Sequence, residues 1–510
     1  MHGNDGAVLF APTDCRTESA AMFTTTSLDT IQKVAASGAY TIAPVGREIL
    51  ADDITPIEAL RAFKAVSDRC YLLESVVGRE RRGRYTFLGF EPSLAVTCTD
   101  GRMTIGDRTF HTDDPSARIR EILSRYRSPR IEGMPPFTGG LVGYFAFEYL
   151  KYAEPTVRRD VDNPHGLRDL ELMLFDKVVA FDNVRQTVTL IVNMPLDGDF
   201  EAAYNQAVTE LDRLERLLRE GERWRNGEGR LTGPITALFS RDQFRAMVER
   251  AKTHIHEGDI FQIVPSNQLS APFEGSLLDT YRVLRVTNPS PYMFYLSGTD
   301  IEIAGASPET LVRLENGILH TFPLAGTRPR GTSDEEDLRL ERELLADPKE
   351  LAEHNMLVDL GRNDLGRVSR FGSVQVERLR DIERYSHVMH IASNVRGELR
   401  EDCDALDAIA AVLPAGTLSG APKIRACQLI GEIEGVKRGV YGGAIGYLDF
   451  TGNMDVCIGI RLAFAQDGRV FVRAGAGIVA DSVPDNEYQE CLNKAGATLD
   501  ALRIAGEGMR

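Results

Sequence analysis

Apolar residues recur at steps of three and four along Phe200, Ala203, Tyr204, Ala207, Val208, Leu211, Leu214 and Leu218. That spacing predicts one long amphipathic helix. It runs into GERWRNGEGRLTGP (221–234), a glycine- and charge-rich stretch that reads as a linker and holds the single tryptophan, Trp224. A second helix opens at Ser240, with Gln243 completing a capping box. Phe244, Met247, Val248, Ala251 and Ile255 form its apolar stripe, and Gly258 ends it. Short β-rich runs such as Thr187–Val192 and Arg469–Val472 stand between capped helices, the pattern of an α+β chain with largely antiparallel sheets. The expected organisation is a polar tail at 1–28, an N-terminal domain at 29–220, the linker, and a C-terminal domain at 235–510. The halves echo each other. TGGLVGYFAF (138–147) resembles YGGAIGYLDF (441–450), and YTFLGFEPSLAV with DGRMTI (85–105) resembles IEIAGASPETLV with NGILHT (301–321). Both halves are therefore expected to use similar β-rich units.

Charge narrows the function classes. Lys and Arg number 59 against 75 Asp and Glu, a net charge of −16. An acidic chain without a long basic run is a poor partner for nucleic acid or an anionic membrane, although it can still build a site for a small anion. The seven cysteines, at 15, 70, 98, 403, 427, 457 and 491, include no CxxC pair. That usage implies a reducing compartment and buried thiols. No apolar run approaches a membrane span, and the first 28 residues do not form a secretory signal, so a cytoplasmic protein is expected.

Three constellations carry chemistry. In DPKELAEH (347–354), Asp347 suits an N-cap and Pro348 the first helical position, and Glu350 and Glu353 share a face. The same pattern also describes a capping glutamate on a solvated helix. After Pro484, Glu487 and Glu490 repeat the spacing, with Lys494 one turn on. Four carboxylates without paired His or Cys suit a hard, oxygen-preferring cation such as Mg²⁺. The third is glycine-dense backbone: PAGTLSGAPK (414–423), YGG (441–443) and AGAGIV (474–479). It fits either close approach to an anion or tight turns between strands. GAPK does not match a nucleotide P-loop, and neither GxSxG nor HExxH occurs.

Taken together, LLES (72–75), GDIFQIV (258–264), NPSPYMFYL (288–296), ASPETLVRL (306–314), PLAGTRPRG (323–331), LLADPKELAEHNMLVDLGRNDLGRVS (344–369), RYSHVMHIASNVRG (384–397), PAGTLSGAPKIRA (414–426), YGGAIGY (441–447), MDVCIGIR (454–461) and AGAGIVADSVPDNEYQECLNKA (474–495) resemble the chorismate-utilising enzymes. The branch resembled most closely is the large, synthase subunit of anthranilate synthase. The resemblance implies an α+β fold with sheets packed face to face and helices outside. Isochorismate-forming relatives carry a lysine base where this chain has Gln262, and the aminodeoxychorismate branch a lysine nucleophile where it has Ala325. Neither Gln nor Ala can do that work, which leaves direct attack by ammonia. One departure is PSNQ (265–268), where the family has a basic residue.

The resemblance also assigns roles. Glu353 and Glu490 would hold Mg²⁺ directly, with Glu350 and Glu487 through water. Arg461, Tyr441, Lys494 and the backbone of Gly475, Ala476 and Gly477 would hold a carboxylate of chorismate. Glu309 would protonate the departing hydroxyl, Thr327 would bond near it, and His390 is tied to the later elimination. Leu73, Glu74, Ser75, Asn288, Pro289, Ser290, Pro291, Tyr292 and Met293 would form a tryptophan feedback site. The chain holds no cysteine in a glutaminase setting, so a separate glutamine amidotransferase subunit is implied as the source of ammonia. An aminodeoxychorismate synthase subunit and a non-catalytic tryptophan-binding regulatory subunit stand as alternatives.

Overall fold

The computed structural model describes residues 25–75, 83–157, 161–225, 227, 229–384 and 388–508. The expected tail lies mostly outside these residues. Thr25 and Thr26 are already packed, with Thr26 N–H donating to the Gly46 carbonyl at 2.9 Å, and Ser27 caps the helix Leu28–Ala36.

Two sheets of twelve strands each organise the chain. Within them every strand pair is antiparallel, as the sequence pattern predicts. Alternating or fully apolar strands explain the layering, because side chains at successive positions point to opposite faces. Gly140–Phe145 and Leu170–Phe175 are buried at every residue. Between the sheets lies an apolar layer that includes Tyr71, Phe87, Val142, Phe175, Phe294, Ile445 and Phe464. Aromatic edges interlock there, with Tyr71 4.7 Å from Phe175 and Phe137 4.3 Å from Tyr447. The outer face of one sheet is covered by helices such as Phe200–Glu220 and Pro484–Gly506, and that of the other by Pro115–Leu123 and Ala405–Val412. The result is four layers, with helices outside two facing sheets.

Each sheet takes strands from both 29–220 and 235–510. In the first, Cys70–Glu74 pairs with Tyr292–Ser297. In the second, Gly140–Phe145 pairs with Ala444–Asp449. The order of strands repeats outward from each junction. Cys70–Glu74, Tyr85–Phe90, Lys177–Asp182, Thr187–Pro195 and Ile42–Leu50 mirror Tyr292–Ser297, Ile301–Ser307, Leu462–Gln466, Arg469–Gly475 and Ser266–Glu274. The two echoed glycine strands are thus direct partners, with Gly143 opposite Gly446. A Cβ on either would strike a backbone carbonyl, that of Glu171 at 2.0 Å or Asp455 at 2.1 Å, so the close approach requires glycine. The 221–234 segment packs against both halves: Trp224 N–H donates to the Arg61 carbonyl, and Arg230–Leu231 pairs with Phe273–Glu274. No helix among the described residues is long and apolar enough to cross a membrane.

Candidate active site

Glu309 stands where the chain leaves one sheet for the other, between strands Ile301–Ser307 and Thr310–Glu315. Its backbone is fixed by Ile458 N–H on its carbonyl at 3.0 Å. Its carboxylate accepts from Thr417 Oγ at 3.2 Å. Burial pushes its pKa up to about 7, against the lowering effects of Thr417 and Lys494. A carboxyl tuned to that range keeps its proton in a large share of molecules at neutral pH and can donate it. Thr417 carries no role in the sequence reading, although it stands inside the PAGTLSG run.

Thr327 and His390 face each other across neighbouring strands, Leu324–Pro329 and Val388–Glu398. Thr327 Oγ lies 3.1 Å from His390 Nδ1, which is 3.0 Å from the Gly326 carbonyl. A carbonyl only accepts, so Nδ1 carries the hydrogen and Nε2 is the basic nitrogen of the neutral ring. Burial holds the His390 pKa below its ordinary value, which keeps the ring neutral near pH 7.

The two acidic helices are capped as their sequences predict. Asp347 accepts from Lys349 N–H at 3.0 Å and Glu350 N–H at 3.3 Å, with Pro348 at the start of Pro348–Gly366. Burial raises the pKa of Glu353, and the charges of Glu350 and Glu490 add to it. Glu487 is raised in the same way by burial and by Glu490. Carboxylates of both helices therefore share one cleft and repel one another, a strain that a hard cation relieves. Lys494 Nζ bonds Glu490 at 2.7 Å and the Gly475 carbonyl at 3.2 Å. The four glutamates do not close into a tight cage. Among the described residues, the one group of three whose ligand atoms lie within 4.8 Å is His254, Glu257 and Asp259, and Asp259 is already paired with Arg425. A cation between the helices would thus complete its shell with oxygens from water and substrate.

Arg461 is exposed at φ +51°, a left-handed conformation that costs a non-glycine residue about 1 kcal/mol or more. Among the described residues its guanidinium has no ion-pair partner, and its charge is felt at His390. Tyr441 is 3% exposed, and a Cβ on Gly475 would come 2.9 Å from its hydroxyl. The Gln262 amide abuts Gly477 in the same way, also at 2.9 Å. Of the glycine-rich backbone, the Ala476 N–H is committed to the Pro265 carbonyl at 3.2 Å, so it is not a free donor.

A separate cavity lies between the sheets. Leu73, Glu74, Ser75, Pro291, Tyr292 and Met293 line it. Asn288, Pro289 and Ser290 do not. Asn288 ends the helix Leu278–Thr287, and Ser290 Oγ is turned to the Asn288 carbonyl. The Glu74 carboxylate is occupied by Arg285, at 2.7 Å, and by Tyr281. The far wall is Tyr85, Phe87, Tyr447, Asp455 and Cys457, to which the sequence assigned no part in the feedback site.

The family model described as chorismate binding enzyme matches residues 68–500, and the chain belongs to that family. Within it, anthranilate synthase component 1 of Acetivibrio thermocellus is 47% identical over 92% of this chain and 97% of its own length. That of Acinetobacter calcoaceticus is 45% identical over 95% and 99%. Among solved structures, anthranilate synthase component I from Streptococcus pneumoniae superposes with a TM-score of 0.72 at 36% identity, covering 88% of this chain and 98% of that one. The menaquinone-specific isochorismate synthase MenF of Escherichia coli shares the fold, with a TM-score of 0.66 at 20% identity.

Proposed function

We propose that this chain converts chorismate and ammonia to anthranilate and pyruvate, as the synthase subunit of an anthranilate synthase, the first step of tryptophan biosynthesis. The observation that carries the reading is Glu309, a half-buried residue whose carboxyl has its pKa pushed up to about 7 beside Thr417 and Lys494 of the second acidic helix. Gln262 and Ala325 supply neither a base for water nor a lysine nucleophile, so neutral ammonia attacks directly. It adds at ring carbon 2 as the 4-hydroxyl leaves as water, taking the proton of Glu309. Loss of the carbon-2 proton and release of the enolpyruvyl group as pyruvate then aromatise the ring, with neutral His390 placed by Gly326 and Thr327 to relay a proton. Arg461 and Tyr441 hold a carboxylate of the substrate. Glu350, Glu353, Glu487 and Glu490 would hold Mg²⁺, which supplies charge neutralisation for the other carboxylate.

Tryptophan occupies the cavity lined by Ser75, Tyr292 and Met293 and inhibits from there. The relatives are named as component 1. The partner proposed here is a glutamine amidotransferase subunit, in a cytoplasmic complex. The test is anthranilate fluorescence from the purified chain with chorismate, ammonium salt and Mg²⁺. Its abolition by EDTA is expected. Consumption of chorismate without anthranilate would overturn the reading.

A further inference from the structure

Beneath the cleft lies a charged cluster that the chemistry above does not use. Glu434 has a side chain 0% exposed, and Arg438 and Arg473 are 1% exposed. Burying three charges is costly unless each is paired and hydrogen-bonded, and here each is. One Glu434 oxygen accepts from the Ser266 N–H at 2.7 Å, the Ser266 hydroxyl at 3.0 Å and Arg438 Nη2 at 2.5 Å. The other accepts from Arg438 Nε at 3.0 Å and Arg473 Nη2 at 3.1 Å. The two guanidiniums then reach outward. Arg438 donates to the Leu418 carbonyl at 2.8 Å and the Val264 carbonyl at 2.6 Å. Arg473 donates to the Ser266 hydroxyl at 2.9 Å and the Lys437 carbonyl at 2.7 Å.

The places tied together are the backbone of the site. Val264 is two residues beyond Gln262. Leu418 follows Thr417, the hydroxyl that bonds Glu309. Ser266 is the ladder partner of Gly475, whose carbonyl receives Lys494. Lys437 and Arg438 begin the turn that ends at Tyr441, and the Arg438 guanidinium lies 5.8 Å from the Tyr441 ring. The segment 262–266, the turn at 416–419, the Tyr441 turn and strand 469–475 are thus joined through one carboxylate.

We propose that Glu434 is a positioning residue. Through Arg438, Arg473 and Ser266 it sets the relative placement of the four segments that form the substrate cleft. The inference rests on the function proposed above, and wild-type ammonium-driven turnover is the control that tests that function separately. A side chain that acts only on folding affects how much enzyme is active. One that positions the cleft also affects how each folded molecule works.

Three variants separate these roles. Glu434→Gln keeps the volume but leaves two guanidiniums against a neutral amide. Glu434→Gln with Arg473→Met returns the cluster to its wild-type net charge but not the ties. Ser266→Ala keeps the ion pairs and removes one hydroxyl bridge. The measurements are melting temperature, and kcat and the KM for chorismate per folded molecule. For Ser266→Ala the melting temperature falls, because the buried Arg473 Nε loses its acceptor, and the expected result per folded molecule is a loss of about 3- to 10-fold in kcat/KM. For the double variant, the melting temperature recovers relative to Glu434→Gln while kcat/KM stays at least about 10-fold down. Wild-type kcat and KM in Ser266→Ala, or activity in the double variant that recovers in step with its melting temperature, would overturn the proposal. If Glu434→Gln does not fold, Ser266→Ala still decides the question.

Discussion

The two halves of the molecule share a frame but not its contents. Leu88 and Ala304 each precede the glycine of their strand, and they lie opposite Val179 and Ala463. Two residues before Val179 stands Lys177, and two residues before Ala463 stands Arg461. In the C-terminal half that cation is exposed and unpaired among the described residues. In the N-terminal half Lys177 pairs with Glu91 at 3.1 Å and Glu210 at 3.5 Å, and Arg213 closes the group at 2.7 Å from each glutamate. Burial raises the pKa of Glu91, but Arg213 and Lys177 outweigh it and hold it below the ordinary carboxylate value. A cleft whose charges are satisfied internally has none left for a dianionic substrate. The C-terminal half also carries a long excursion, Leu324–Glu398, between the strand Ile318–Thr321 and the helix Ala405–Val412. It brings Thr327, Glu350, Glu353 and His390. The N-terminal half has only the short strand Arg108–His111 before its corresponding helix, Pro115–Leu123. A duplicated frame thus carries an open cation and an inserted excursion on one side, and internally paired charges on the other.

The sharpest way to break this comparison is to neutralise carboxylates on each side. Glu353→Gln or Glu490→Gln should lower kcat by about 10²-fold or more, the usual effect of removing a preorganised charge. Glu91→Gln should leave kcat unchanged and cost only stability. Equal losses on the two sides would mean that the N-terminal half takes part in turnover.

Glu309→Gln should cost about 10²- to 10⁴-fold in kcat, as expected for a general acid. In the wild type, kcat should fall as pH rises through about 7, because the acid must hold its proton. Stability follows the same sign. A carboxyl whose folded pKa is raised favours the native state fully below its unfolded pKa and loses that favour as pH rises through the folded value. Thermal melts of Glu309→Gln should therefore exceed wild type at pH 8 and converge with it near pH 4. A flat difference across that range would contradict the role of burial at this residue.

The cations sharpen the contrast further. Arg461→Met should raise the KM for chorismate by about 10- to 100-fold, the worth of one charge-assisted hydrogen bond of about 1.5–3 kcal/mol. Lys177→Met should leave KM alone and destabilise by about 1 kcal/mol at most, since its pairs are partly solvated. Steady-state kinetics and urea melts of the two variants give both answers.

At the cavity between the halves the smallest effect on turnover is expected, and the change falls on inhibition. Ser75→Phe should raise the tryptophan concentration for half-inhibition by about 5- to 150-fold, within the usual range of allosteric coupling. Ammonium-driven kcat should stay within about 2-fold of wild type. Unchanged inhibition would place the effector elsewhere.

What was legible in the chain itself was local. The Ser240 capping box, the Asp347 cap with Pro348, and the stripe of Phe200–Glu220 depend on residues within a few positions of one another, and all stand as their spacing predicts. The paired glycine motifs announced a repeat for the same reason. The motif blocks named the family, because chemistry constrains residue type at short range. Tertiary structure decided the rest. That the two echoes pair with each other, that Tyr447 and Asp455 wall a cavity opposite Ser75, that Asn288 to Ser290 stand outside it, and that Glu434 joins strands more than 150 residues away all depend on ladder register between distant segments. Register is set by which faces the whole core buries, and no window of sequence contains both partners.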